Sequence, residues 1–336
     1  MAAKVIRWQR VHGRHGLPWQ GTRDPYAVWL SEVMLQQTQV STVLGYYTRF
    51  LQRFPDVAAL AAAPRDEVLA LWSGLGYYSR ARNLHACAQA VVAQHGGQFP
   101  RSALALALLP GIGRSTAAAI AAFCFGERVA ILDANVKRVL SRVLAFGGDV
   151  TRAAATEALW AQAQALLPVR GMAVYTQGLM DLGATVCTAR KPTCLLCPLA
   201  GDCQALAQGK PESYPVKGKK ARRSQREHAL LWLQHSGRVW LVQRPDKGVW
   251  AGLWTLPEYS GRPLLEDTVA RWPGQGRWQP TIHHALTHFD WTLHVLHWAL
   301  PRAAAEPAAL PAGRWFTLDE ALSAGLPAPI RKLLAA

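Results

Sequence analysis

Residues 109 to 120 read LPGIGRSTAAAI. Gly111 and Gly113 stand between a Leu- and Ala-rich run and an Ala-rich run, so the stretch reads as a tight turn joining two helices. Glycine takes positive φ without steric cost and lets the backbone approach a partner closely. Both Gly111 and Gly113 are expected to use that freedom. Ser115 and Thr116 then fall near the start of the second helix, where unpaired amides favour an anion such as a phosphate. Any helical hairpin needs such a turn, so the glycines alone do not choose a ligand; in a basic protein they suit a nucleic-acid backbone.

The text around the hairpin is of the same kind. From residue 20 to 205 short Ala- and Leu-rich amphipathic runs alternate with Gly, Pro and Asp breaks. Asp24-Pro25 is a cap with a first-turn proline that opens YAVWLSEVMLQQ, and a second helix should run to about Phe54, where Pro55 stops it. DEVLALW, ARNLHACAQAVVAQH, SALALALL, STAAAIAAFCF and ANVKRVLSRVL are further helical segments, the last capped by Asp133. This half is all-α. Between Lys210 and Arg226 the sequence turns basic, with Lys210, Lys217, Lys219, Lys220, Arg222, Arg223 and Arg226 against Glu212 alone, and reads as a solvated linker that a DNA backbone could also contact. Beyond it HALLWLQ, the turn His235-Ser236-Gly237 and RVWLVQR form a hairpin, WTLHVLHWAL alternates like a strand, and LPAPIRKLLAA closes an α+β domain with a helix. The organisation expected is a helical region over residues 1–209, a linker over 210–227 and an α+β domain over 228–336.

A chain of 336 residues with 37 Lys and Arg against 21 Asp and Glu carries a net charge of +16. Such a potential suits a polyanion, although a merely basic protein would show it too, and it chooses no reaction. No apolar stretch approaches the roughly 20 residues that span a bilayer, and MAAKVIRWQR has no secretory pattern, so a cytoplasmic protein without a membrane partner is expected.

Of six cysteines, Cys87 and Cys124 sit alone in Ala-rich runs and read as small core residues, whereas Cys187, Cys194, Cys197 and Cys203 are separated by six, two and five residues. Four thiolates in one loop can surround a metal centre unaided. From spacing, zinc and a 4Fe-4S cluster both remain open. Paired CxxC knuckles would favour zinc, and only one CxxC is present.

Taken in order, LPWQ at 17, DPYAVWLSEVMLQQTQV at 24, GLGYYSRARNL at 74, LPGIGRSTAAAI at 109, ILDANVKRVLSR at 131 and the four cysteines resemble the MutY family, the adenine DNA glycosylases of the helix-hairpin-helix superfamily. The resemblance covers nearly all of residues 1 to 205, and more loosely the remainder. It implies a helix-hairpin-helix glycosylase region with a six-helix barrel and an iron-sulfur cluster domain, followed by a Nudix-like domain. One 4Fe-4S cluster would then be held by Cys187, Cys194, Cys197 and Cys203. The partner implied is double-stranded DNA with adenine opposite 8-oxoguanine or guanine, bound by a single copy of the chain in the bacterial cytoplasm, at the nucleoid.

The chemistry requires two carboxylates in different surroundings: an acid that protonates the departing base and a negative charge beside the cationic sugar. Glu32, a helical residue beside Trp29, Val33 and Met34, is a surface glutamate by position alone; desolvation there would keep it protonated, and the family's catalytic glutamate falls on it. Asp133 is a helix cap to which the resemblance gives the sugar cation, with Asn135 holding the site; the family's usual glycine is here Ala134. Ser115 stands where bifunctional relatives carry a nucleophilic lysine, which implies a monofunctional enzyme that uses water and leaves an abasic site. Gln36, Gln37 and Tyr77 would fill the gap left by a flipped base, although the glutamines also read as a polar helix end and Tyr77 or Tyr78 as a core ring. KGVWAGLWTLPEY at 247 resembles the opening of Nudix hydrolases, but SGRPLLEDTVARWPG lacks their acidic metal-binding helix. The domain is therefore expected to recognise 8-oxoguanine through Thr287 and His288, with Leu286 replacing the family's aromatic. Rival readings are an endonuclease III-like glycosylase/lyase on oxidised pyrimidines, a non-catalytic iron-sulfur DNA-binding protein and a nucleotide pyrophosphatase.

Overall fold

A computed structural model of the chain describes residues 1–218, 222–307 and 310–336. Lys219 and Lys220 of the basic segment lie outside the described residues. The chain divides into two units, Met1–Ala61 with Ala86–Lys220 and Ala62–His85 with Ala221–Ala336.

Helices come first in the chain: α1 (Ala2–His12), α2 (Pro25–Leu35), α3 (Val40–Arg53), α4 (Val57–Ala62), α5 (Arg65–Leu71), α6 (Ser79–His95), α7 (Ala103–Leu106), α8 (Arg114–Phe125), α9 (Ala134–Val143), α10 (Ala153–Ala165), α11 (Met172–Thr185) and α12 (Gln204–Ala207). Their ends follow the caps in the sequence. Asp24 accepts the amides of Tyr26 and Ala27 at 3.0 and 3.4 Å, with Pro25 in the first turn, and Asp133 accepts the Val136 amide at 2.7 Å. Gly126 closes α8 in the left-handed conformation.

The core of the first unit joins Val136, Val139 and Leu140 of α9 to Tyr175, Leu179 and Leu182 of α11 and to Val5 and Trp8 of α1. Two glycines of α11 permit this. A Cβ at Gly178 would lie 2.8 Å from Val5 Cγ1, and one at Gly183 would lie 2.6 Å from Asn135 Cβ. Helix α1 is absent from the sequence-based expectation because Val5, Ile6 and Trp8 are scattered among Lys4, Arg7, Gln9 and Arg10. SALALALL, expected as a full helix, forms only the single turn α7, with Leu104 and Leu108 exposed. The hairpin also differs at one glycine. Gly111 has φ of 73°, whereas Gly113 is an extended N-cap with φ of −78°, where a Cβ would meet nothing within 4 Å.

The second unit contains α5, the beginning of α6, an eight-stranded mixed sheet and the helices α13 (Arg262–Val269), α14 (Leu318–Ser323) and α15 (Ala328–Leu334). Its strands are β1 (Ser224–His235), β2 (Arg238–Gln243), β3 (Trp254–Thr255), β4 (Glu258–Tyr259), β5 (Gln275–Trp278), β6 (Ile282–Ala285), β7 (Phe289–Leu300) and β8 (Arg314–Thr317), with β3-β2-β1-β7-β5 as the main path. β1 and β2 form the expected hairpin: His235 pairs with Arg238, and Ser236 and Gly237 both take positive φ, the two-residue turn that matches strand twist. β1 and β7 pair in parallel from Ser224 with Phe289 to His235 with Leu300. One face of the sheet buries Ala229, Leu231, Leu233, Leu296 and Leu300 against Leu265 and Val269 of α13. The all-α region followed by an α+β domain is the architecture read from the sequence.

The basic segment 210–227 is less free than its composition implies. The Tyr214 carbonyl accepts from Arg142, Val150 donates to Val216 at 3.0 Å, and residues from Ser224 onward belong to β1. No helix among the described residues is long and apolar enough to cross a membrane.

Candidate active site

A cleft of about 1270 Å³ in the first unit is walled by the loop His15–Gln20, α2, the first turn of α8, the start of α9 and α11. It brings together Glu32, Gln36, Gln37, Ser115, Asp133 and Asn135. Glu32 lies on α2, whose Trp29, Leu30, Val33 and Met34 are buried. Burial, and secondarily the charge of Asp133, push its carboxyl from the ordinary 4.5 up to about 8. At neutral pH Glu32 holds its proton.

Asp133 meets a mixed environment. Burial raises its pKa, while the Val136 and Asn135 amides, the Arg138 guanidinium and the Asn135 side chain oppose the rise, leaving it above the usual carboxylate value but below full desolvation. A capping carboxylate is held rigidly, and Asn135 is fixed in turn: its Oδ1 accepts from Arg138 at 2.9 Å. Arg138 also donates to the Gly183 carbonyl at 2.6 Å and the Cys187 carbonyl at 2.7 Å, joining the start of α9 to the cysteine loop.

Ser115 is half-buried and its Oγ accepts the Leu132 amide at 3.3 Å, which ties α8 to the segment preceding Asp133. Gln36 ends α2 and donates to Thr116 Oγ1 at 3.3 Å; Gln37 follows exposed, with φ of 57°. The cleft also contains a network that sequence reasoning missed. Asp181, fully buried, accepts the Arg14 backbone amide at 3.0 Å, Arg14 Nε at 2.7 Å and Gln177 Nε2 at 2.9 Å. Its only signal was an acidic residue within the apolar helical text MDLGA.

Gly111 and Gly113 do not line the cleft. Tyr77, Thr287 and His288 belong to the second unit. Tyr77 is 48% exposed and Tyr78 8%, so the core ring of the pair is Tyr78. Thr287 and His288 are exposed in the turn between β6 and β7, where Leu286 donates its amide to the Phe289 carbonyl at 2.9 Å.

Residues 30–164 match the HhH-GPD superfamily of base excision DNA repair proteins, and residues 228–336 match the NUDIX domain family. The chain is 32% identical to the adenine DNA glycosylase of Buchnera aphidicola subsp. Schizaphis graminum, over 98% of this chain and 96% of that one. The chain belongs to the adenine DNA glycosylase family. The glycosylase of Homo sapiens is 36% identical to it over 98% of this chain and 72% of the human one. A solved thermostable thymine-DNA glycosylase is similar with a TM-score of 0.55 and 28% identity, covering 62% of this chain and 95% of its own.

In this glycosylase the four clustered cysteines line one small cavity together with Arg142, Leu199 and Pro211. Arg142 is 2% exposed, and its guanidinium reaches Cys187 Sγ at 3.3 Å, the Thr188 and Ala189 carbonyls at 2.6 and 3.0 Å and the Tyr214 carbonyl at 3.2 Å. Burial pushes the Cys197 thiol up to about 11 and raises that of Cys194, and in both the neighbouring cysteines add to the rise. The thiols are thus near enough to repel one another as thiolates, a repulsion that a cationic centre would reverse. Among the described residues no three His, Cys, Asp or Glu side chains are placed to hold a single metal ion. Cys87 is fully buried and Cys124 half-buried, both away from this cavity.

Proposed function

We propose that the chain removes adenine from double-stranded DNA where it lies opposite 8-oxoguanine or guanine, by hydrolysing the N-glycosidic bond and leaving an abasic site. The observation that carries the reading is the pairing of Glu32, held protonated to about pH 8, with the capped carboxylate of Asp133 in one cleft. A protonated acid beside a second carboxyl group held by backbone amides is what an acid-catalysed excision needs.

Adenine extruded from the duplex enters the cleft, and Glu32 passes its proton to the purine ring. The glycosidic electron pair leaves with the base. The sugar left behind is an oxocarbenium ion, and the Asp133 carboxylate, pinned by the Val136 amide, supplies the opposing charge. Water then adds its hydroxyl to the sugar carbon and returns its proton to Glu32. Ser115 offers no amine, so no Schiff base forms and the strand stays intact. Gln36, Gln37 and Tyr77 fill the vacated space, the amides at the start of α8 after Gly111 and Gly113 face a phosphate, and Thr287 and His288 read the opposite base.

The same reading assigns one 4Fe-4S cluster to Cys187, Cys194, Cys197 and Cys203. Their common cavity supports it, and four thiols in one loop are the all-sulfur donor set that iron-sulfur clusters take. When bound, such a group supplies a rigid, charge-compensated loop.

The test is release of free adenine from a duplex carrying adenine opposite 8-oxoguanine, with borohydride trapping run alongside. Excision without a trapped adduct is expected. Full activity of Glu32→Gln would overturn the mechanism.

A further inference from the structure

The proposed wedge and the strand domain belong to the same unit, and the loop carrying Tyr77 is built in two layers. Tyr77 is exposed with φ of 48°, between Gly74 and Gly76 at 103° and 69° and the buried Tyr78. Left-handed backbone at a tyrosine persists only where its surroundings hold it. The first layer is local: Trp72 Nε1 donates to the Gly76 carbonyl at 3.0 Å, and Arg80 donates to the Leu75 and Gly76 carbonyls at 3.1 and 3.2 Å with its guanidinium over the Tyr77 ring at 5.6 Å.

The second layer comes from about 250 positions away in sequence. The Leu326 carbonyl, between α14 and α15, accepts from Tyr78 Oη at 2.8 Å and from Ser73 Oγ at 3.3 Å. Arg331 of α15 donates through Nε to Ser73 Oγ at 2.9 Å and with its other nitrogens to the Leu322 and Ala324 carbonyls at the end of α14. Gly325 beside them is tied to the sheet through the Trp254 amide at 3.0 Å, and a Cβ there would press on Leu69 of α5 at 3.1 Å. The residue next to the wedge is therefore anchored, on the far side of the backbone from solvent, to the C-terminal segment.

We propose that Arg331 and the Leu326 carbonyl, acting through Ser73 and Tyr78, are positioning groups that seat Tyr77 for strand insertion. The C-terminal domain then has a second task besides reading the opposite base: it sets the tool that opens the stack. The inference rests on the assignment of Tyr77 as the wedge. None of the four groups touches the reacting atoms.

The test is a double-mutant cycle on the full-length, cluster-loaded protein. Single-turnover excision from a duplex with adenine opposite 8-oxoguanine is measured for Arg331→Gln, Tyr78→Phe and Tyr77→Ala and for each pair with Tyr77→Ala. Fluorescence of a 2-aminopurine placed beside the 8-oxoguanine reports unstacking. Arg331→Gln and Tyr78→Phe are each expected to slow excision by about tenfold and to reduce the fluorescence rise, and to have no further effect once Tyr77 is alanine, because groups acting through one another are not additive. Tyr78→Phe removes one hydroxyl and keeps the ring, so it reports even where Arg331→Gln fails to fold. Full additivity with Tyr77→Ala, or no effect of either substitution, overturns the seating. No effect of Tyr77→Ala itself overturns the wedge assignment, an outcome distinct from additivity.

Discussion

Glu32 binds its proton more tightly in the folded chain than in water, with a pKa of about 8 against an ordinary 4.5, because the apolar wall of α2 and the charge of Asp133 both disfavour the anion. Two outcomes follow with definite sign. Excision under single-turnover conditions should fall as pH rises through about 8, and Glu32→Gln should lower it by about 10²- to 10⁴-fold at neutral pH, the usual range for a lost general acid. The stability contribution of a raised carboxyl pKa is complete below the unfolded value and disappears as pH rises through the folded one. Glu32→Gln should therefore melt higher than the parent above pH 8, with the difference shrinking toward pH 4.5. A variant that melts lower at every pH would show that the cleft does not strain the charge. Asp133 separates into cap and charge: Asp133→Asn keeps an N-cap and should cost activity with little change in melting, while Asp133→Ala should lose about 1 kcal/mol of stability as well. The cap was legible in ILDANV; the raised pKa of Glu32 was legible only as an expectation from Trp29, Val33 and Met34, since burial depends on what the other helices bring. Asp181 was legible only as an acidic residue in apolar helical text and not as part of a network, because its partner Arg14 lies 167 positions away.

Helix α9 gathers the consequences of its sequence along one side. Its cap is Asp133, its first turn presents Asn135, and Arg138 and Arg142, one turn apart, reach the segment Cys187–Ala189. Replacing the buried Arg142 by methionine would leave the Thr188, Ala189 and Tyr214 carbonyls without this donor, at about 1–3 kcal/mol for each one left unpaired. If the cysteines hold the proposed cluster, the expected result is reduced iron content and a weaker absorbance near about 400 nm in purified protein, with the far-ultraviolet helical signal retained. Unchanged iron would separate the arginine from cluster binding. Helix boundaries set by Asp24, Pro25, Asp133 and Gly126 were readable because each acts within one turn of itself. Gly113 was misread for the same reason in reverse: its need for positive φ depended on the turn that Gly111 alone provides.

For the molecule as a whole, the division into two units does not follow the order of the text. DEVLALW reads like every other helix of the N-terminal half, yet α5 belongs with the strand domain, because Leu69 lies against Gly325, where a Cβ would meet it at 3.1 Å, and Asp66 accepts from Gln243 at 3.1 Å. Sequence periodicity reports which face of a helix is apolar and is silent on which partner covers it. Native-state hydrogen exchange should show the amides of Val68, Leu69 and Trp72 opening together with those of β1 and β7, and not with those of α9 and α11, since cooperative opening follows packing. Exchange in step with α9 would contradict the division. The same discontinuity matters on the ribosome. Residues 62–85 leave the exit tunnel early, and the residues that hold Ser73 and Tyr78 are made last; at typical synthesis rates the wait is roughly 10 to 50 s. On the proposed assignment of Tyr77, a nascent chain, or one cut short by a premature stop codon, carries its cleft before its wedge is seated, and the tool for entering DNA is set only once the C-terminal segment has been made.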